Sequence, residues 1–207
     1  MATRTLVSKN TKRNKGSTMK GYIVYLPKYE NSVNMAIRAL ETGRFHGWDV
    51  SLFPGVDGTK ENLSDHNLFA YKQNKKCKRL MESPGVQGCF LSQYLLWQRC
   101  FLEQQSICVF EHDVIFKKPM GSVVQTDVYK FEGFKKAKPI PAGTWYEGAR
   151  AYLLRPVGAK KLLDWVHNNG AMPADWMLCD GIVDMEFDME EKVTYKSDKM
   201  SFTKDLK

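Results

Sequence analysis

The chain has no run of the roughly 18 to 20 uninterrupted apolar residues that a membrane-spanning helix requires. Its N-terminus is polar and basic where a signal peptide would place an apolar stretch, so the sequence reads as a soluble, unexported, cytoplasmic protein. Cysteine is sparse and odd in number, five in all, with no Cys-x-x-Cys pair and no zinc-finger spacing to a histidine. That excludes a disulfide framework or zinc ribbon and leaves reduced thiols, mostly buried filler. Only four histidines are present, and they are scattered, so a metal site would have to be built mainly from carboxylates. Internal repeats are absent as well.

What is present suits one core. The 207 residues, 43% hydrophobic and 26% charged, can bury one substantial core but are short for two independent domains. The net charge of +8 raises nucleic acid as a partner, yet its distribution matters more than its size. Arg4, Lys9, Lys12, Arg13, Lys15 and Lys20 stand in the N-terminal stretch that ends at Lys20, which holds no acid, leaving +2 for the rest. Residues 1–19 are therefore expected as a disordered basic tail, and residues 20–207 as the folded domain. Within the body, one basic run holds Lys72, Lys75, Lys76, Lys78 and Arg79. A second basic region holds Lys117, Lys118, Lys130, Lys135, Lys136 and Lys138. Residues 175–191 carry seven acids and no base. Each run reads as a solvated face or, alternatively, as part of a groove for an anionic substrate.

The pattern along the body alternates strands and helices. Residues 21–26 form an apolar, β-rich run halted by Pro27. Residues 31–42 fit a helix with Ser32 near its start and Gly43 as its terminator. A strand over 49–53 follows and ends in the turn-rich Pro54-Gly-Val-Asp-Gly-Thr59. This order suggests a right-handed βαβ unit, whose ligands lie beyond the carboxyl ends of its strands, so the turn at Asp57 and Gly58 is a candidate site loop. A largely buried helix over 89–102 leads to a third strand, 106–110, that runs into Glu111-His112-Asp113. Residues 149–154 read as a strand, 158–167 as an amphipathic helix, and 172–175 as a turn into a short helical stretch. The C-terminal segment 188–207 shows no clear pattern.

The segment Val109-Phe-Glu-His-Asp-Val114 carries the most chemistry. Continued as a strand, it would present Glu111 and Asp113 on one face and His112 on the other, at a sheet edge open to ligand. Two carboxylates so placed suit Mg²⁺ or Mn²⁺, hard cations that share one or two protein carboxylates with substrate phosphates. Acid-x-acid alone reads equally as two solvated loop acids. A histidine-aspartate hydrolase would need further histidines, for which the chain has no matching context.

The whole arrangement resembles glycosyltransferase family 25, the lipopolysaccharide and collagen galactosyltransferase type. Tyr22-Ile-Val-Tyr-Leu-Pro27 resembles its opening strand, Phe53-Pro-Gly-Val-Asp-Gly58 its A-V-D-G turn, and Gly88-Cys-Phe-Leu-Ser-Gln-Tyr-Leu-Leu-Trp97 its G-C-x-x-S-H-x-x-x-W segment. Val109 to Val114 is similar to L-E-D-D-V, Gly148 to Leu162 to G-x-x-A-Y-x-x-x-x-x-G-A-x-x-L, and Pro173-Ala-Asp175 to P-x-D. These segments stand in family order over about residues 21–180. In two places the chain departs, with Gln93 where the family has histidine and His112 in place of the middle acid.

The resemblance implies an α/β fold of GT-A type, a Rossmann-like mixed sheet flanked by helices in a single domain. It also implies a nucleotide-diphosphate sugar as donor, a Mn²⁺ or Mg²⁺ ion on Glu111 and Asp113, and an inverting reaction. An inverting reaction needs a base for the acceptor hydroxyl. Asp175 matches the family turn and Asp180 is the second candidate, although Asp175 reads equally as a helix cap. Pro27, Asp57, Gly58, Ser92, Gln93, His112 and Tyr152 are the residues the resemblance places around the donor. Asp57 reads equally as a turn-stabilising aspartate, and Ser92 and Gln93 as polar residues of a buried helix. Trp97, Tyr152 and Trp176 read as core before sugar platforms. The acceptor is a saccharide or, given the basic tail, a hydroxylated base in modified DNA, whose binding would weaken steeply with salt. The two departures leave open an inactive sugar-nucleotide or nucleic-acid binding protein. Nothing in the sequence reports the oligomeric state.

Overall fold

The computed structural model describes residues 19–133 and 136–195; the basic tail expected over residues 1–19, apart from Met19, lies outside the described residues, as does Lys135. Strand β1 (Lys20–Tyr25) is followed by α1 (Glu30–Phe45) and β2 (Asp49–Pro54), the expected βαβ unit. The helix does not stop at Gly43. It runs on to Phe45 because Gly43 is buried where a Cβ would lie 2.8 Å from Val50 and 3.2 Å from Phe116, so this glycine serves close packing. The chain turns instead at Gly47, with φ +76°.

The polar stretch after β2 holds structure that its composition hides: a 3-10 turn (Leu63–His66) boxed by Asn62 and Asp65, and helix α2 (Lys75–Met81), capped by the Asn74 side chain on Cys77 N–H at 2.9 Å. The first basic run decorates the exposed face of α2 and its approach. Helix α3 (Pro84–Glu103) starts well before its expected beginning at Cys89, with Pro84 in its first turn, and buries Phe90, Leu91, Leu96 and Trp97. Each such side chain contributes about 1.5 to 3 kcal/mol by leaving water.

Then come β3 (Ile107–Glu111), β4 (Val114–Phe116), β5 (Val128–Lys130), the hairpin β6 (Ala137–Ile140) and β7 (Gly143–Tyr146), and β8 (Ala151–Leu154). Helices α4 (Pro156–Asn169) and α5 (Ala174–Met177) precede β9 (Met185–Phe187) and β10 (Val193–Tyr195). Among the described residues the main sheet has six strands in the order β2-β1-β3-β8-β5-β9, with β8 antiparallel to both neighbours and the other pairings parallel. The expected mixed α/β sheet is therefore observed. Strand β4 does not extend β3 but pairs with β10 in a separate ribbon.

Strand alternation divides the core in two. Tyr22, Val109, Val128, Tyr152 and Leu154 pack with α3 and α4, while Ile23, Cys108, Phe110, Ala151 and Leu153 pack with α1 and β4. No helix among the described residues is long and apolar enough to cross a membrane.

Candidate functional site

Because β1, β2 and β3 are parallel, the segments that follow them, Leu26–Lys28, Gly55–Gly58 and His112–Asp113, emerge at one sheet edge. The antiparallel β8 starts at that edge and β5 ends there, which adds Arg150 and Lys130. Glu111 N–H donates to the Arg150 carbonyl at 2.8 Å, and the pleat puts Glu111, Lys130, Arg150 and Tyr152 on the α3 side of the sheet.

Glu111 and Asp113 are brought together, but not by strand alternation, since His112 and Asp113 form the turn between β3 and β4. Burial and then the Asp113 charge push the Glu111 carboxyl up from its ordinary value, with Glu132 and Asp175 adding to the effect and Arg150 opposing it. Burial also raises Asp113, whose Oδ1 is buried with no hydrogen-bond partner. The His112 ring hydrogen-bonds the Val24 backbone near Arg38, and burial lowers its pKa, which favours a neutral imidazole.

Asp175, distant from Asp113 in sequence, joins this group. Its carboxyl is pushed up to about 6, first by burial, against the pull of Lys130, its own and the Trp176 N–H groups, and Arg150. Asp175 is not the helix cap, a place that Pro173 takes, but lies in the first turn of α5, and its charge acts on Glu111 and Cys89. Asp180 does something different: it is exposed, and its Oδ1 accepts the Thr144 N–H at 2.7 Å, fastening the β6–β7 hairpin.

Three charged members of the cluster were not among the expected site residues. Glu132 is buried, accepts the Arg150 backbone N–H at 3.2 Å and its Nη1 at 3.4 Å, and lies 3.6 Å from Lys130 Nζ. Lys130 is buried too and donates to the carbonyls of Tyr146, Glu147 and Gly148. Arg150 also lies over the Tyr195 ring, 4.1 Å from its centroid. The signal for Arg150 was its place in Gly148-Ala-Arg-Ala-Tyr152; Glu132 carried none.

The residues expected around the donor fall into two sets. Pro27 is exposed in the turn after β1, and Asp57 is at the same edge, accepting from Thr59 N–H (3.0 Å) and Oγ1 (2.6 Å) and pairing with Lys28 at 3.4 Å. The Thr59 bonds, more than any other cause, hold the Asp57 carboxyl below its ordinary range. Gly58 presses on α3 so closely that a Cβ would lie 1.8 Å from the Pro84 oxygen, and Gly88 meets the same loop from the helix side. Ser92, Gln93 and Tyr152 are buried and occupied with one another's surroundings. Ser92 Oγ accepts the Val56 N–H at 2.8 Å and donates to the Gly88 carbonyl at 2.6 Å, so it fixes the loop from beneath. Trp97 Nε1 donates to the Tyr152 hydroxyl (2.8 Å), which donates to Gln93 Oε1 (2.9 Å). Trp97 and Tyr152 are thus core, as expected, and Trp176 is buried with them.

Among the described residues no group of three or more His, Cys, Asp and Glu side chains is arranged to hold a metal ion. The carboxylate pair nevertheless suits a hard cation that takes its other ligands from substrate and water. Asp113 Oδ1 is an unpartnered buried acceptor, and Glu111 and Asp113 repel each other. The acids Glu111, Asp113, Glu132 and Asp175 also outnumber the cations Lys130 and Arg150 by two formal charges, which one divalent ion would balance.

Comparison with known proteins identifies the family. The model of a family described as glycosyltransferase family 25 (LPS biosynthesis protein) matches residues 31–147. The lipooligosaccharide biosynthesis protein lic2B of Haemophilus influenzae is 29% identical over 90 residues, 38% of this chain and 34% of that protein. A glycosyltransferase 25 family member of Anopheles gambiae is 32% identical over 102 residues, 45% of this chain and 17% of that protein. Among solved structures, the apo-form glycosyltransferase GlyE of Streptococcus pneumoniae aligns with a TM-score of 0.42 at 10% identity, covering 82% of this chain and 45% of that one. The matches span about a third or less of the length of these curated relatives.

Proposed function

The chain belongs to glycosyltransferase family 25, and from that premise we propose that it transfers a sugar from a nucleotide-diphosphate donor to a saccharide hydroxyl, with inversion, on a GT-A type scaffold. The observation that carries this reading is the meeting of the Glu111 and Asp113 pair with Asp175, distant from it in sequence, in one half-buried cluster at the carboxyl edge of the parallel strands.

Asp175 is the base in this reading. Its carboxyl, held at about 6 by burial, is mostly ionised at neutral pH and takes up a proton more readily than an ordinary surface aspartate. It accepts the proton of the acceptor hydroxyl as that oxygen attacks the anomeric carbon. The bond from that carbon to the phosphate oxygen breaks with its electron pair leaving on the diphosphate, and attack opposite the leaving group inverts the centre. Glu111 and Asp113 would hold Mn²⁺ or Mg²⁺, which when bound neutralises charge on the departing diphosphate. Asp57 stands at the same edge beside the Gly55–Gly58 loop, where it can meet the donor's ribose or base. Ser92, Gln93 and Tyr152 support that loop and the sheet from below.

A thermal-shift screen of nucleotide sugars, with and without Mn²⁺, tests the reading, because a true donor stabilises the folded state by mass action. Donors that shift the midpoint are then assayed for hydrolysis and for transfer to saccharides and, in parallel, to DNA carrying a hydroxylated base. A donor that binds without being consumed would identify a binding protein. Absence of any shift with any donor would overturn the proposal.

A further inference from the structure

The reaction above leaves Arg150 and Glu132 without a part, although the fold commits several groups to holding them. We infer that Arg150 binds the diphosphate of the donor and that Glu132 is the positioning residue that aims its guanidinium. The inference rests on the transferase reading for the identity of the molecule that carries the diphosphate.

A guanidinium is a planar fork of five N–H donors matched to phosphate oxygens. Among the described residues that of Arg150 makes one hydrogen bond, from Nη1 to Glu132 Oε2 at 3.4 Å, and it lies over the Tyr195 ring at 4.1 Å. These two contacts set its plane and leave most of its donors for a ligand. Its backbone is held on both sides, with N–H to Glu132 Oε1 at 3.2 Å and the carbonyl accepting Glu111 N–H at 2.8 Å, so the fork starts beside the carboxylate pair. Glu132 is itself immobilised. It lies 3.6 Å from Lys130 Nζ and against Gly148, where a Cβ would come within 2.9 Å of Oε1 and 3.0 Å of Oε2. Gly148 has φ +91°, so a side chain there would be strained as well as obstructive.

The two cations of the cluster divide the work. The Lys130 side chain is 1% exposed and engaged by three carbonyls, whereas that of Arg150 is 24% exposed. An anion sharing a cation with Glu111 and Asp113 therefore meets Arg150 as the accessible positive group. The fork matches phosphate oxygens, and a diphosphate has oxygens enough to meet Arg150 and a hard cation on the neighbouring carboxylates together.

The test uses the full-length protein with inorganic pyrophosphate as probe at a fixed low Mn²⁺ concentration, read by calorimetry. Mn²⁺ alone is measured separately from the spin-resonance signal of the free aqua ion. Arg150→Met should weaken pyrophosphate binding roughly tenfold to a hundredfold, the range for hydrogen bonds to charged groups. Arg150→Lys should recover part of it, since a point charge replaces the fork. Glu132→Gln should give a smaller loss that disappears in the Arg150→Met background, as expected for two residues acting as one unit. Mn²⁺ affinity should not fall in Arg150→Met, because a positive charge has left the neighbourhood of the carboxylates, whereas structural collapse would weaken both ligands together.

Wild-type pyrophosphate affinity in Arg150→Met, a joint loss of Mn²⁺ and pyrophosphate, or no pyrophosphate binding by the wild type would each overturn the inference. An unchanged Glu132→Gln would remove the positioning half. If Arg150→Met does not fold, the Arg150→Lys and Glu132→Gln losses decide. Sugar transfer at wild-type KM and kcat in Arg150→Met would sink the inference and leave the transferase reading standing; pyrophosphate binding that depends on Arg150 without any transfer would do the reverse.

Discussion

Asp175→Asn should make the protein more stable and less active at the same pH, because both properties depend on the Asp175 charge in opposite directions. Burial raises the folded carboxyl from an ordinary 3.8 to about 6, and every tenfold gain in proton affinity corresponds to about 1.4 kcal/mol. Ionising Asp175 in the fold therefore costs at most about 3 kcal/mol. The folded pKa lies above the unfolded one, so the folded state binds the proton more tightly. The stabilising contribution is full below about pH 4 and is lost as pH rises through about 6. Asparagine carries no charge to desolvate, so the variant should exceed the wild type by up to about 3 kcal/mol at pH 8 and match it near pH 4. Urea unfolding with chelator present, at pH 4, 6 and 8, measures the difference. In the wild type, kcat/KM should rise about tenfold per unit below pH 6 and level off above it, and the variant should lose roughly a hundredfold or more. A stability difference that is independent of pH, or transfer that survives in the variant, would refute the reasoning.

Three further predictions concern the supports of the site. Asp113→Ala should abolish Mn²⁺-dependent donor hydrolysis while leaving the urea midpoint unchanged or higher, since the lost carboxylate has a buried oxygen without a partner; unchanged activity would remove Asp113 from the metal site. Tyr152→Phe deletes a hydroxyl that accepts from Trp97 and donates to Gln93, leaving two buried groups unpaired, and should cost about 2 to 4 kcal/mol in unfolding free energy. A cost below about 0.5 kcal/mol would mean that Trp97 and Gln93 find other partners. Gly58→Ala places a Cβ 1.8 Å from a backbone oxygen that cannot step aside, so it should destabilise by about 3 kcal/mol or more and raise KM for the donor as the loop shifts; a wild-type KM would separate that loop from donor binding.

The parts of the site that could be read from sequence are those built by local rules. Pro54-Gly-Val-Asp-Gly-Thr59 announces a turn by its residue types, and an apolar run ending in Glu111 announces a strand that delivers an acid to an edge. Both features need only neighbours in sequence. The same rules misplaced what tertiary contacts decide. Gly43 has the residue type of a terminator, yet it sits inside α1 because Val50 and Phe116 occupy the space a side chain would take. Period-2 alternation puts Asp113 on the Glu111 face, whereas it is a turn that brings it there. The strands β5, β9 and β10 are too short for periodicity to register, and they owe their existence to partners distant in the chain: Val128 lies beside Leu154 and Met185, and Val193 beside Phe116.

Those short strands matter most for the chemistry. With β8 antiparallel beside β3, the chain enters β8 at the edge where β3 leaves, and Arg150 arrives opposite Glu111. With β5 antiparallel to β8, Lys130 and then Glu132 reach the same edge from the other side. Sheet order thus converts three acids and two bases, scattered between Glu111 and Arg150 in unremarkable sequence, into a cluster in which each charge alters the others. An acid-x-acid pair on a solvated loop would titrate as ordinary carboxylates. Here burial raises both, and the Asp113 charge raises Glu111 further, so under the proposed reading the pair has a reason to recruit a cation that loop acids lack. It follows that the mixed topology, more than the Glu-His-Asp motif itself, is what the proposed cation site rests on.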